Sequence, residues 1–543
     1  MNVCRLSLLI AILPVALLTA VDSVDADDGT PITVTVADAE TGAVLPCRLY
    51  VQNTQSGEWH FASSASPDGT AVEYNKQIGT TPSVEMHTTL SANSIRLQLA
   101  PGTYRVRAEH GKEFVPAEQE LAVGARPVKL ELTPKRFINM QAAGWYCGDT
   151  HVHRAMADLP NLVLAEDLNV ALPLNYWVRD TTEIPSATGP SLEAKPIAVD
   201  ATHVIYPINT EYEIFSVNRQ RHTLGAVFVL NHKSPLNIPA PPVLAVAEEA
   251  RRQGAILDLD KHSWAWSMMI VPVMKVDLFE LSNNHNWRTQ FGFPQWTIEN
   301  APDWPEVERD ATGFTELGWT EFGMQTYYAL LNCGFRMRVT GGTGAGVHPV
   351  PLGHGRVYVH TGPEFSYDRW IEHLNAGHSF VTTGPLMDLR FNGQMSGATW
   401  IKQTAEYPVS VTGAITSLNR LKCIEIIRNG VSEQVVEVAP ERTPEGALKY
   451  TLNATVRLAG SGWIAVRCFE DLPDAKVSFA HTNPVFVDEP GVPLTARRRD
   501  AEFFVRRMDE EIARNTGVLT DESLAEYRRA REIYQAILDQ AAD

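Results

Sequence analysis

The stretch Gly148-Asp149-Thr150-His151-Val152-His153 is the part of this chain on which its interpretation depends most. In an extended segment, residues i and i+2 project to the same side, so His151 and His153 can direct two imidazoles at one point. Neutral imidazole is a common ligand of zinc, iron, nickel and copper. With 16 histidines in the chain, a single His-x-His pair also arises by chance. The pair therefore indicates a metal site only together with other motifs of the sequence.

The N-terminus has the layout of a secretory signal peptide. Arg5 precedes an apolar run from Leu6 to Leu18, and small and acidic residues follow. The run is too short to span a bilayer comfortably. Val24-Asp25-Ala26 offers small residues for cleavage. We therefore expect residues 1–26 to be removed, a mature start near Asp27, and a secreted or periplasmic protein without a membrane partner.

Charge and cysteine content exclude several classes of protein. The formal net charge of −18 argues against nucleic acid and anionic membranes as partners, because phosphates repel an acidic protein. The cysteines after the predicted cleavage site are too few for a disulfide scaffold and too scattered for a zinc ribbon. At most Cys423 and Cys468, both in strand-like segments, are expected to pair. The expected partner is a small-molecule or polymer substrate.

Hydrophobic patterning divides the mature chain into four regions. Short alternating runs separated by turns, such as Ile32 to Val36, predict a β-sandwich over residues 27–138. Its pattern resembles the carboxypeptidase regulatory-like module, which is usually an accessory domain. A second β-sandwich is predicted over residues 386–490, with Asn429-Gly430 as a hairpin turn. The tail, residues 491–543, has the spacing of one or two amphipathic helices.

Residues 139–385 differ in hydrophobic patterning from the regions on either side. Apolar strand-like runs, among them Val170 to Leu174 and Ala255 to Leu259, alternate with helix-like stretches. One such stretch begins near Pro242 and ends before Gly254, residue types that favour a helix start and a helix end. Strands that alternate with helices predict an α/β layer or barrel. Histidines and acids follow several of the strands, where (β/α) barrels place their active sites.

Six stretches of this region form a set: Gly144 to His153, Arg221 to Gly225, Gly254 to His262, Asp277 to Asn283, Gly353 to Val359 and Gly377 to Pro385. Together they resemble the motifs of the PHP (polymerase and histidinol phosphatase) metallohydrolases, most closely the carbaryl-hydrolase-like branch, the CehA/McbA type. The resemblance implies a multidomain α/β plus β protein. In it, a distorted (β/α)7 barrel lies between two β-sandwiches, and divalent metals bind at the carboxyl ends of the strands.

The resemblance also implies a set of site residues. The metal ligands, matched motif by motif, are His151, His153, Glu211 or Glu213 as the bridging carboxylate, His222, His262 and His348. Of these, His151, His153 and His262 are predicted to converge on one cation. Glu213 and Asp260 are the candidate catalytic residues, since a carboxylate near the metal can transfer protons. Zinc is the first choice because imidazoles outnumber carboxylates, with manganese or iron behind, as one or two ions.

Two motifs depart from the family. Relatives carry Thr-Asp-His after the second strand, but here Leu174 and Asn175 replace the aspartate and the histidine. The closing motif has no aspartate beside His348, and Gly346 stands where a charge is expected. A site with fewer carboxylates should hold fewer cations. One metal is therefore predicted, or a compact pair that uses Asp258 or Asp260 as a substitute ligand.

Several residues near these motifs are compatible with structural roles. His222 and His262 could be core histidines. Glu280 and His285 are as consistent with a structural role as with ligation, and His232 is more typical of a supporting residue. The tryptophans that flank the motifs could line an apolar substrate pocket, and they are Trp177, Trp264, Trp266 and Trp287.

Two functions are compatible with the sequence. The leading hypothesis is an exported metal-dependent hydrolase that cleaves an ester, carbamate or phosphoester bond with a metal-activated water. The alternative is a catalytically degenerate PHP-like binding module for a glycan or another surface polymer, in which the missing ligands have removed turnover. The metal content of the purified protein separates the two, because a metal-free barrel favours the binding module.

Overall fold

A computed structural model describes residues 29–79, 83–187 and 192–542. The predicted signal peptide and the mature start near Asp27 lie outside the described residues. Among the helices of the described part, none is both long enough and apolar enough to cross a membrane.

The first region forms two sheets that enclose one apolar core. Its strands are β1 (Thr30–Val36), β2 (Cys47–Asn53), β3 (Trp59–His60), β4 (Ser63–Ser64), β5 (Ala71–Gln77), β6 (Val84–Leu90), β7 (Ile95–Leu99), β8 (Gly102–Glu109), β9 (Phe114–Val115), β10 (Ala117–Val123), β11 (Val128–Leu132) and β12 (Lys135–Arg136). The two sheets have the orders β11-β1-β7-β4 and β10-β8-β2-β6-β5, with β3 beside β2, and β9 pairs with β12 in a separate two-stranded sheet. Ile32 and Val34 of one sheet share a core with Leu49 and Val51 of the other. The alternating pattern thus produces a β-sandwich, as expected.

The central region alternates strands with helices. Its strands are β13 (Trp145–Val152), β14 (Val170–Pro173), β15 (Tyr176–Asp180), β16 (Ser186–Ala187), β17 (Ile197–Ala198), β18 (Val204–Ile205), β19 (Thr210–Val217), β20 (Gln220–Leu230), β21 (Ile256–Leu259), β22 (Leu278–Ser282), β23 (Arg309–Asp310), β24 (Gly313–Phe314), β25 (Arg338–Gly341), β26 (Arg356–His360) and β27 (Ser379–Thr382). Its helices are α1 (Leu159–Ala165), α2 (Leu244–Arg252), α3 (Ser267–Met274), α4 (Glu316–Asn332) and α5 (Tyr367–Ala376).

Apart from β23 and β24, which pair with each other, the central strands are divided between two hydrogen-bonded sheets. One has the order β16-β15-β19-β20-β21-β22-β25, and the other begins β17-β18-β14-β13-β26-β27. Helices α1, α3 and α4 connect parallel neighbours, whereas β19–β20, β20–β21 and β13–β26 are antiparallel. The sheets meet where the loop after β25 lies against β13, and Gly344 N donates to His151 O over 2.7 Å. This arrangement does not confirm a (β/α)7 barrel.

The C-terminal strands extend one of the central sheets. They are β28 (Leu386–Phe391), β29 (Thr399–Ile401), β30 (Tyr407–Ser417), β31 (Leu421–Arg428), β32 (Val431–Val435), β33 (Glu441–Arg442), β34 (Leu448–Leu458), β35 (Gly462–Glu470), β36 (Phe479–Thr482) and β37 (Val485–Asp488). The order β27-β36-β35-β31-β32 joins them to the central region, and β28-β30-β34-β33 forms the facing sheet. Val411, Val466 and Cys147 share one core. A continuous sheet therefore crosses the predicted boundary at residue 385, and the domain boundaries themselves stay predictions.

Two local predictions in this region have different outcomes. Arg428 pairs with Val431, and Asn429 and Gly430 have φ values of 51° and 81°, so the two-residue hairpin turn is confirmed. The Cys423–Cys468 pair is wrong, since both thiols are free. Cys423 lies opposite Phe469, and Ile424 lies opposite Cys468. That register places the two thiols on opposite faces of the sheet.

The tail forms two helices that pack on the central region. They are α6 (Arg498–Asn515) and α7 (Asp521–Leu538). The Tyr534 hydroxyl donates to Met268 O over 2.8 Å. The Glu526 carboxylate accepts from Val243 N and Leu244 N at the start of α2, each over 2.8 Å. The predicted helical tail is confirmed, and it anchors two helices of the central region.

Candidate metal centre

Imidazole and carboxylate side chains converge between β13, β19, β21 and β22. They form three overlapping groups, and within each group the ligand atoms lie within 4.8 Å of one another. The groups are His151, His153 and Glu211; His151, Asp260 and Glu280; and Glu211, Glu213 and Asp260. Because each group shares a member with the next, the six residues form one continuous cluster.

The contacts within the cluster show how it is arranged. His153 Nε2 lies 3.2 Å from Glu211 Oε2. His151 Nδ1 lies 3.0 Å from Glu280 Oε1 and 3.6 Å from Asp260 Oδ1. The two histidines therefore face different carboxylates, although both project from one side of the strand end.

Burial sets the protonation of these groups. It lowers the pKa of His153 to about 4 and that of His151 well below its ordinary value, so both imidazoles are neutral at neutral pH. Burial also raises the pKa of Glu211 to about 8 and that of Glu213 to about 7. Neutral imidazoles are competent ligands, and a nearby cation would offset the cost of ionising the buried carboxyls.

Lys261 lies within the third group. Its Nζ is 3.0 Å from Glu213 Oε1 and 3.5 Å from Glu211 Oε1, and it donates to Asp260 Oδ2. Burial alone would lower the pKa of this ammonium, but the three carboxylates raise it well above its ordinary value. The site therefore contains a cationic side chain of its own, held by its contacts with three carboxyl groups.

The donor atoms of the cluster fit a divalent metal. Both oxygens of Glu211 and Oδ1 of Asp260 are buried and have no hydrogen-bond partner within the described part of the chain. A buried polar atom without a partner costs free energy unless a cation or a proton binds it. Two imidazoles with several carboxylates are a donor set that zinc, manganese and iron all accept.

Asp149 holds the end of β13 against the loop that follows β25. Its Oδ1 accepts from His151 N over 3.0 Å and from Thr343 N over 3.1 Å. Its Oδ2 accepts from Thr343 Oγ1 over 2.5 Å and from Gly353 N over 2.9 Å. The carboxylate thereby fixes the backbone from which both histidines project.

His222 lies outside the cluster. It is four residues along β20 from Ala226, the partner of Glu213, which corresponds to roughly 13 Å of extended chain. Its Nε2 is 2.8 Å from Asn515 Oδ1 of α6. The structure thus does not bring His222 to the cluster, because this imidazole contacts the helical tail.

His262 is also absent from the three groups. Its buried ring is surrounded by Phe279, Trp319 and Phe322, at centroid distances of 6.1, 5.1 and 4.8 Å. The turn after β21 directs Lys261 into the cluster and His262 into this aromatic pocket. The structure therefore brings His151 and His153 together, and it does not bring His262 to the same point.

His348 lies near the aromatic pocket as well. Its Nε2 accepts from Asn284 Nδ2 over 3.1 Å, and its ring centroid is 5.6 Å from that of His285. Neither imidazole belongs to the three groups. Asp258 accepts from Thr340 Oγ1 over 2.7 Å and also stays outside them. Of the two proposed substitute carboxylates, Asp260 alone joins the cluster.

Sequence reasoning missed Lys261 and Asp149 and left Glu280 undecided. Lys261 lay inside the motif Gly254 to His262, directly after Asp260. A lysine that follows an acid at a strand end, where further acids are predicted, could have indicated an internal ion pair. Asp149 lies inside the first motif but offered no such signal, because most of its partners, Thr343 and Gly353, are far along the chain.

A cavity of about 550 Å³ opens beside His153. Its lining includes Met156, Leu174, Asn175 and Trp177. Trp177 Nε1 donates to Glu213 Oε2 over 3.1 Å. Leu174 and Asn175, which replace the expected second-motif ligands, therefore line the approach to the cluster. The other flanking tryptophans do not line this cavity, and they are Trp264, Trp266 and Trp287.

Comparisons with known proteins are sparse. No family model matches the chain, and no curated protein matches it. Among solved structures, it is similar to a two-domain protein from Bacteroides vulgatus that contains a predicted PHP-like metal-dependent phosphoesterase. The identity is 10%, over 63% of this chain and 95% of that one, with a TM-score of 0.28. The C-terminal domain of a shaft pilin from Lactobacillus rhamnosus GG matches at 12% identity, over 20% and 97%, with a TM-score of 0.12. TM-scores this low do not establish a common fold.

Proposed function

We propose that the protein is an exported, PHP-type metal-dependent hydrolase that cleaves an ester, carbamate or phosphoester bond. The observation that carries the proposal is the set of three overlapping ligand groups, which share His151, Glu211 and Asp260. Two neutral imidazoles and several buried carboxylates at one point are the donor set of a hydrolytic metal site. The resemblance of the sequence motifs to PHP metallohydrolases supports the same conclusion.

The residues of the cluster have distinct roles in this proposal. His151, His153 and Glu211 would hold the ion, and Glu280 would orient the imidazole of His151 across their 3.0 Å contact. The chemistry that a divalent ion supplies when bound is Lewis acidity, which polarises the bond to be cleaved and makes an attacking water more acidic.

Glu213 is the better candidate of the two predicted proton-transfer residues. Both contact Lys261, but Glu213 keeps 6% of its surface exposed, whereas Asp260 is fully buried. Burial raises the pKa of Glu213 to about 7, a value suited to accepting a proton near neutral pH. The bond from Trp177 Nε1 to Oε2 holds this carboxylate at the edge of the cavity.

The cavity beside His153 indicates what kind of substrate group could bind. Met156, Leu174 and Leu192 line it together with the ring of Trp177. A volume of about 550 Å³ is within the range of sites for small molecules. We therefore infer a substrate that presents an apolar or aromatic group beside the bond to be cleaved.

A panel of aryl esters, carbamates and phosphodiesters tests the proposal. Turnover by the purified chain should be lost after chelator treatment and restored by zinc or manganese. His151→Ala should lower the rate by about 4 kcal/mol of barrier or more, equivalent to roughly a thousandfold, because it removes a ligand. His222→Ala is the matched control and should retain activity, since its ring contacts Asn515 outside the cluster.

The outcomes separate the two candidate functions. Hydrolysis that survives complete metal removal would contradict a metal-dependent site. A chain that binds metal but turns over no member of the panel would favour the binding module for a glycan or other surface polymer. Export is tested separately, by mass spectrometry of the mature protein, and an intact Met1 would contradict cleavage near Asp27.

A further inference from the structure

Lys261 lies on one side of the cluster. Its ammonium contacts carboxylate oxygens of all three members of the group Glu211, Glu213 and Asp260. The group that contains His153 contacts this ammonium only through Glu211, and the group that contains Glu280 contacts it only through Asp260. One potential metal position is therefore already next to a positive charge.

Most of the carboxylate oxygens without a hydrogen-bond partner lie away from Lys261. Glu213 Oε1 and Asp260 Oδ2 contact Lys261, and Glu213 Oε2 accepts from Trp177 Nε1. The oxygens without a hydrogen-bond partner in the described part of the cluster are both oxygens of Glu211 and Oδ1 of Asp260. Glu211 Oε2 faces His153, and Asp260 Oδ1 faces His151. Two of these three oxygens thus lie on the side of the histidines, whereas the third, Glu211 Oε1, lies 3.5 Å from Lys261 Nζ.

We propose that the Lys261 ammonium takes the place of a second metal ion, so that this chain binds one divalent cation, on the side of His151 and His153. The proposal rests on the proposed function, because it assumes that a metal binds there at all. To the proposed function it adds the number of ions that bind, and it names Lys261 as the residue that limits this number.

The physical basis is charge. A divalent ion among Glu211, Glu213 and Asp260 would lie beside a buried ammonium, and like charges repel strongly where the surroundings exclude water. Lys261 is 5% exposed, and its Nζ lies 5.0 Å from the centroid of the Trp264 ring. The ammonium is therefore packed in place, and moving it aside would break its ion pairs within the protein interior.

The number of bound ions in matched variants tests this proposal. Each protein is stripped with a chelator, reloaded with excess Zn²⁺ or Mn²⁺, freed of unbound ions by gel filtration and analysed by elemental mass spectrometry. We expect one ion per native chain and two per chain of Lys261→Met, whose side chain has similar length but no charge. Lys402→Met is the control and should bind one ion, because this buried lysine pairs with Glu489 elsewhere.

The results distinguish failure of this proposal from failure of the proposed function. Two ions in the native chain, or one ion in both the native chain and Lys261→Met, would overturn the role of Lys261 and leave the hydrolase intact. No ion in the native chain would overturn the metal centre itself, and the role of Lys261 with it.

A second measurement does not depend on the folding of a variant. Anomalous diffraction from crystals of the native chain loaded with Zn²⁺ or Mn²⁺ should show one ion, bonded to His151 and His153. The space between Glu213 and Asp260 should contain Lys261 Nζ and no anomalous peak. A peak there would overturn the proposal.

Discussion

At the scale of single residues, the site depends on pairs two positions apart on extended chain. His151 and His153 share one side of the end of β13, and Glu211 and Glu213 share one side of β19. The spacing brings each pair to the cluster, but it does not decide which atoms meet. Nδ1 of His151 faces Glu280, whereas Nε2 of His153 faces Glu211.

Asp149→Asn tests how strongly the backbone of β13 is held. Asparagine has the same shape, and its carbonyl oxygen can still accept two hydrogen bonds. Its amide N–H groups, however, would face Thr343 Oγ1 and Gly353 N, which now donate to Asp149 Oδ2. We expect the free energy of unfolding to fall by about 1–3 kcal/mol and metal affinity to fall about 10–100-fold. Asp158→Asn, whose side chain is 34% exposed, should change stability by no more than about 0.5 kcal/mol. Equal effects of the two variants on metal affinity would contradict the role of Asp149.

His481 makes stability depend on pH at a point distant from the metal cluster. Its Nε2 accepts from the Tyr328 hydroxyl over 2.8 Å, and its Nδ1 donates to Thr482 O over 2.6 Å, so both nitrogens are satisfied in the neutral ring. Burial lowers the pKa of His481 from 6.5 to about 3. Between these two values the unfolded chain binds a proton that the folded chain does not, so stability falls as pH falls.

His481→Gln should therefore flatten the pH profile of stability. The native chain should lose about 1.4 kcal/mol more than the variant for each pH unit below about 6.5. Urea unfolding of both proteins between about pH 7 and pH 4.5 measures the difference, because the other buried histidines contribute equally to both. Parallel profiles would show that His481 is protonated in the folded state.

At the scale of elements, the backbone conformation of the loop after β25 explains why the closing motif has no aspartate beside His348. Gly346 has a φ of +110°, and a Cβ at this position would lie 2.3 Å from His153 O. Its N–H donates to the Tyr74 hydroxyl over 2.8 Å. The backbone approaches the first motif so closely that no side chain can stand where the resemblance implied an aspartate.

Gly346→Asp, which restores that carboxylate, should destabilise the chain without adding a metal. Backbone strain alone should cost about 1–3 kcal/mol, and the contact with His153 O adds to it. The neighbouring substitution Val347→Asp, at a side chain 41% exposed, should cost no more than about 0.5 kcal/mol. Thermal unfolding and metal content measure both effects, and a stable Gly346→Asp variant with an additional ion would contradict this account.

At the scale of the whole molecule, the N-terminal sandwich supports the site directly. The Tyr74 hydroxyl donates to His348 O over 2.5 Å, in the loop that borders the cluster. Arg48 is 5% exposed and pairs with Glu109 of its own region and with Glu166 of the central region. The region predicted to be accessory is thus attached through buried polar contacts.

Arg48→Met tests this attachment. The substitution removes the guanidinium that contacts Glu166, whereas Glu109 keeps its contact with Arg107 Nε at 2.6 Å. Removing one partner of a buried ion pair typically costs about 3–5 kcal/mol. We expect a lower unfolding temperature and earlier proteolysis of the N-terminal sandwich. Arg105→Met is the control, because Arg105 is 61% exposed and its pair with Glu118 should contribute about 0–1 kcal/mol. An unfolding temperature unchanged in both variants would contradict the coupling.

Local patterns in the sequence account for the local features of this protein. Alternation of apolar residues predicts the sandwiches, Asn429-Gly430 predicts its hairpin turn, and helical spacing predicts the tail. His-x-His at residues 151 and 153 identifies the strand end around which the ligand groups assemble. Each of these depends on neighbours within a few positions, where periodicity and turn preferences act.

The tertiary structure alone decides which distant residues meet. It directs Lys261 rather than His262 into the cluster, places His222 against α6, and pairs β27 with β36 across the predicted domain boundary. These outcomes depend on how separate elements pack and on the direction of the turn after β21. They also depend on charge, because a charged group that is buried has to be paired with one of opposite sign. A motif specifies which residue types are available, whereas packing decides which of them share a site.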